Sequence, residues 1–130
     1  MVVAFLMKSP FYKEGLNLKQ GNYNGYVAFK EELPLSYQGI FDQDIDVEDN
    51  YDYLDNYISV HGGITLDHSN LWEGANIIPL TAIPEDIHSY RVIGFDCAHL
   101  NDNSEIWSFE NTRSETLRLK EQIEKLINNK

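Results

Sequence analysis

Helical periodicity is sustained in only one place in this chain, the segment from Asn111 to Leu126, and the apolar segments before it are broken at strand length. Leu119, Ile123, Leu126 and Ile127 recur at i, i+4, i+7 and i+8, which puts them on one face of a helix. Thr112 and Glu115 form the T-x-x-E pattern that satisfies exposed N–H groups at a helix start. Glu121 and Lys125 suit an i,i+4 pair on the outer face. One striped helix needs a sheet to cover. The expected fold class is therefore α+β: a mostly antiparallel sheet of four to six strands with the C-terminal helix packed on one face. At 130 residues, splitting the chain would leave halves near the lower limit for a stable core, so 1–130 reads as a single domain.

The strands are read from punctuation and alternation. Val2 to Met7 is a continuous apolar run ended by Ser9-Pro10, and Gly25 to Lys30 is rich in aromatic and β-branched residues. Leu33 to Asn56 carries Pro34, Gly39 and an acidic run, and is expected to be a long excursion with a helical turn near Val47 to Leu54. Tyr57 to Leu66 alternates cleanly and predicts a strand with His61 and Thr65 on one face and Gly63 between them. Ile77 to Ile83 is a further strand that Pro79 demotes to an edge or bulge. Pro84-Glu85-Asp86-Ile87 suits the start of a short helix. Arg91 to Cys97 is the next strand, with Ile93, Phe95 and Cys97 opposed to Val92, Gly94 and Asp96. Ile106 to Phe109 reads as a short strand before the helix.

Charge narrows the function classes. A formal net charge of -11 argues against direct nucleic-acid binding, which needs Lys and Arg at the phosphates. From Glu31 to Tyr90 there is no Lys or Arg among thirteen Asp and Glu. Seven acids, Asp42, Asp44, Asp46, Glu48, Asp49, Asp52 and Asp55, fall in one short stretch. They read either as a solvated loop that keeps the protein soluble or as a face that docks on a basic partner protein. Asp42-x-Asp44-x-Asp46 opens like a calcium loop, but Val47 and Tyr53 stand where that loop needs Gly and Glu. A lone cysteine, Cys97, excludes an intramolecular disulfide and suits a reducing cytoplasm. The apolar run after Met1 is too short to span a bilayer and has no positive flank ahead of it, so no membrane association is expected.

Two polar blocks sit in strand-like surroundings. The first is His61-Gly62-Gly63-Ile64-Thr65; the second is Gly94-Phe95-Asp96-Cys97-Ala98-His99, trailed by Asp102. Imidazole, carboxylate and hydroxyl groups are costly near an interior unless paired or used. His61, Gly62, Gly63, Thr65, Asp96, His99 and Asp102 are therefore the candidate ligand-binding residues. His61 or His99 suits a general base or metal ligand, and Thr65 with the glycine backbone suits an oxyanion. The bland alternative is that imidazoles and carboxylates bond each other and the backbone, fixing the sheet. No metal-binding spacing is present, so no metal site is predicted, and no cofactor is indicated. Cys97 shares a face with Ile93 and Phe95, which favours an inert buried thiol over a nucleophile.

With Asn24-Gly25-Tyr26-Val27 upstream and Glu115-x-Leu117 downstream, these blocks resemble a family of small bacteriophage and prophage proteins. The resemblance covers most of the chain, from about Asn24 to Leu126. Leu33-Pro34-Leu35 stands where relatives carry a His-Pro pair, and Asn101-Asp102 where they tend to have Gly-Asp. The missing His weighs against an enzyme. What the resemblance implies is a phage or prophage accessory protein in the bacterial host cytoplasm, of the kind that inhibits a host defence system. The expected partner is a host protein with a basic surface. The alternative is a pocket built on the two blocks that binds or hydrolyses a small ligand or nucleotide. A third expectation is a homodimer formed along the Val2 to Met7 strand.

Overall fold

The computed structural model describes residues 1–9, 22–33, 54, 57–96 and 108–129. Continuous apolar runs pair as interior strands because both of their faces are buried. β1 (Val2–Lys8) and β2 (Tyr23–Phe29) pair antiparallel from Val2↔Phe29 to Lys8↔Tyr23. Three shorter strands follow: β3 (Leu66–His68), β4 (Ile78–Pro79) and β5 (Arg91–Phe95). The five form one antiparallel sheet in the order β3-β5-β2-β1-β4. A single C-terminal helix, α1 (Phe109–Asn128), packs against it, so the fold is α+β.

Each face of the sheet has its own core. Under α1, Val27, Phe29, Ile93 and Phe95 meet Leu119 and Ile123 of the helix, with Leu33, Leu54, Val60 and Ile64 closing the side. On the far face, Val3, Phe5, Tyr26, Ala28 and Val92 are covered by Leu71, Ile87 and Tyr90, from the segment between β3 and β5. That segment holds β4 and a 3-10 turn at Ile87–Ser89, and it supplies the layer that a second helix would otherwise provide.

Three expectations need correction. Tyr57 to Leu66 is not a strand as far as Thr65: the chain turns at His61–Gly63, and pairing begins only at Leu66. Phe109 opens the helix rather than closing a strand. The N-cap is Ser108, whose hydroxyl accepts from the Asn111 N–H; Thr112 lies one turn inside, buried, with its hydroxyl on the Ser108 carbonyl. β1 is flanked by β2 and β4, and its Ala4 N–H donates to Thr81 Oγ1. Pro79 stands opposite Phe5 in β4, the two-residue strand at that edge of the sheet.

Candidate functional site

The two polar blocks do meet. Thr65 donates its backbone N–H to the Gly94 carbonyl at 2.9 Å, and Leu66 pairs with Gly94 across β3 and β5. What brings the second block into place is a reciprocal fit with β2. Gly25-Tyr26 and Gly94-Phe95 are both glycine–aromatic dipeptides, and antiparallel pairing sets Gly25 opposite Phe95 and Tyr26 opposite Gly94. A methyl group on Gly25 would overlap the Phe95 ring and the Thr116 hydroxyl of α1. One on Gly94 would lie 2.7 Å from Tyr26 Cδ1 and 2.9 Å from the Gly25 carbonyl oxygen. Each glycine is the floor on which the other strand's ring lies.

The first block is held by the helix. Gly62 and Gly63 have φ of 69° and 79°, left-handed values that favour glycine, and Gly63 N–H closes the turn onto the Val60 carbonyl at 2.9 Å. Glu115 accepts the His61 N–H at 2.9 Å and the Arg118 Nε–H at 2.6 Å. Gln122 grips Ser59 from both sides, accepting its N–H at 2.7 Å and donating to its carbonyl at 2.9 Å. Thus side chains of α1 satisfy backbone groups that a strand partner would have taken. A carboxylate thus occupies the His61 amide, next to the glycine backbone that was expected to hold an oxyanion. Thr65 is exposed and does not share a strand face with His61.

Asp96 follows β5 and is half-buried. Its charge acts on the Tyr26 phenol. Burial is the main cause raising that phenol above its ordinary 10.0; the Asn24 side-chain hydrogen bond opposes the rise and Asp96 adds to it. His99 and Asp102 lie outside the described residues, as do Cys97 and the acids Asp42, Asp44, Asp46, Glu48, Asp49, Asp52 and Asp55. Among the described residues, no three His, Cys, Asp or Glu side chains come together as a metal centre, and no helix is long and apolar enough to cross a membrane.

Sequence reasoning missed two features. Arg91 forms a bidentate pair with Asp67, at 2.9 and 2.7 Å, and donates to the Leu33 carbonyl at 3.0 Å while lying over the Phe29 ring. The other is a groove of about 780 Å³ beside β4, walled by Trp72. The isolated Trp72 between Leu71 and Glu73 was its only signal. Comparison of the chain with protein-family models, curated proteins and solved structures found no match.

Proposed function

We propose that this chain is a phage or prophage accessory protein that works by binding, docking its acidic stretch on a basic host protein and so inhibiting a host defence system. The observation that carries the reading is the charge distribution: thirteen acids and no Lys or Arg from Glu31 to Tyr90. Part of the candidate pocket's backbone is already in structural use. Gly62, Gly63 and Gly94 have structural work in the turn and the sheet, and the His61 amide is capped by Glu115. A complex of this kind forms fast and weakens steeply as salt rises, because its attraction acts between exposed charges.

The test is protection of infecting phage in bacteria that carry a defence system and express the chain. Wild-type protein restores plaque formation; neutralising Asp42, Asp44, Asp46 and Asp49 to Asn together abolishes it; His61→Ala leaves it intact. Protection that survives the fourfold neutralisation overturns the reading. The alternative is the pocket that binds or hydrolyses a small ligand or nucleotide, and the half-buried Asp96 beside Tyr26 is the observation in its favour. It requires instead that His61→Ala, Asp96→Asn or His99→Ala destroy activity in a folded protein.

A further inference from the structure

The strap that leads from β3 toward β4 is tied to the 3-10 turn at Ile87–Ser89 and the residue after it. Leu71 donates its N–H to the Tyr90 carbonyl at 3.0 Å, and its own carbonyl lies 3.1 Å from His88 Nδ1. The other ring nitrogen, Nε2, lies 3.5 Å from a Glu73 carboxylate oxygen. The His88 ring thus spans the strap from Leu71 to Glu73. What the strap carries matters to the sheet. Leu71 is buried in the far-side core with Ile87 and Tyr90, and the Trp72 indole meets the Tyr26 ring edge-on at 6.3 Å. Loosening the strap uncovers that face.

Both partners of the ring are acceptors. A backbone carbonyl has no proton to give, and a carboxylate has none at the pH where imidazoles titrate. A neutral imidazole has one N–H, so it serves only one of the two. With that N–H on Nδ1, toward Leu71, the Nε2 lone pair is left facing the Glu73 carboxylate. The imidazolium donates at both nitrogens. The charged groups on the surrounding elements have other partners. Asp86 of the turn holds Lys30, which also lies over the Tyr90 ring; Arg91 of β5 holds Asp67 of β3; and His68 Nδ1 meets the Asn70 carbonyl. Glu85 is exposed. Among the described residues, Glu73 is the carboxylate within ion-pair range of the His88 ring.

We propose that His88 is a proton-operated clasp: the imidazolium holds Leu71 and Glu73 to the turn together, and loss of its proton releases the Glu73 end and loosens the strap. The inference does not rest on the binding reading above. The test is a pH titration of ¹⁵N-labelled full-length protein by NMR, reading the His88 ring nitrogens and the exchange of the Leu71 amide. On deprotonation the ring should keep its hydrogen on Nδ1, the tautomer that serves Leu71, and the ¹⁵N shifts of the two ring nitrogens distinguish this from hydrogen on Nε2. Protection of the Leu71 N–H, corrected for the intrinsic pH dependence of exchange, is compared with that in Glu73→Gln. Between about pH 5 and pH 8 it should fall about twofold more in wild type than in the variant. Glutamine accepts from the imidazolium or donates to the neutral ring, so it holds the clasp at either pH. Glu73 is exposed, so the variant leaves the core intact. The comparison also isolates His88 from the other histidines, which both proteins share. Hydrogen on Nε2 of the neutral ring, or Leu71 protection with the same pH dependence in the two proteins, overturns the proposal.

Discussion

Gly25 and Gly94 are the residues on which the sheet's centre depends, because each leaves room for a ring that a methyl group would displace. Gly25→Ala has two obstacles, the Phe95 ring and the Thr116 hydroxyl, and both are buried where little can move. We expect it to cost about 3 kcal/mol in urea unfolding, near the upper end for overpacking. Combined with Phe95→Leu it should cost less than the sum of the two single changes, since they share one space. Strict additivity would contradict the reciprocal fit. The fit was within reach of the sequence: Gly25-Tyr26 and Gly94-Phe95 read the same way, and antiparallel pairing makes such dipeptides complementary. By contrast, nothing local marks Arg91 and Asp67 as partners. They lie 24 positions apart, and the β3–β5 register brings them together.

At the scale of elements, α1 does more than cover a face. Its Glu115 and Gln122 reach the backbone of 59–61 and hold that segment beside the helix instead of in the sheet. Gln122→Ala should therefore cost about 1 kcal/mol, because two partly solvated hydrogen bonds are lost. Amide exchange at Ser59 should quicken markedly while exchange in β1 and β2 is unchanged; unaltered exchange at Ser59 would show the latch to be idle. This explains why Tyr57 to Leu66 misled. Its alternation is real, and Val60 and Ile64 are buried in the core beneath α1. Period-2 patterning reports which side chains go inward, though, and carries no information about which groups will satisfy the backbone. The helix start was misplaced for a similar reason: Thr112 and Glu115 match a capping box, but Ser108 offers a cap one turn earlier that lengthens the apolar stripe.

For the whole molecule, the helix-side core was foreseeable from the stripe Leu119, Ile123, Leu126 and Ile127. The far-side core was not, because Leu71, Ile87 and Tyr90 are scattered in irregular chain with no period to join them. Tyr26 belongs to that far-side core and makes its stability depend on alkaline pH. Its folded phenol keeps the proton more tightly than the unfolded one. The associated stability is thus complete below 10.0, and is lost as pH rises through the folded value. Seven other tyrosines ionise as well, so the informative quantity is the difference between wild type and Tyr26→Phe. The variant should lose less stability above pH 10 than wild type, and parallel curves would contradict the buried phenol.

The central claim is that the glycine-bearing blocks of β2 and β5 serve as a structural fastening, which leaves recognition to other surfaces. Proton NMR tests it most directly, through the Hα resonances of Gly25 and Gly94. With each glycine beneath the opposing ring, one or more Hα protons of both residues should be shifted by ring currents, with cross-strand contacts from Gly25 to Phe95 and from Gly94 to Tyr26. Glycine resonances at random-coil positions, with no such contacts in a folded protein, would contradict the account.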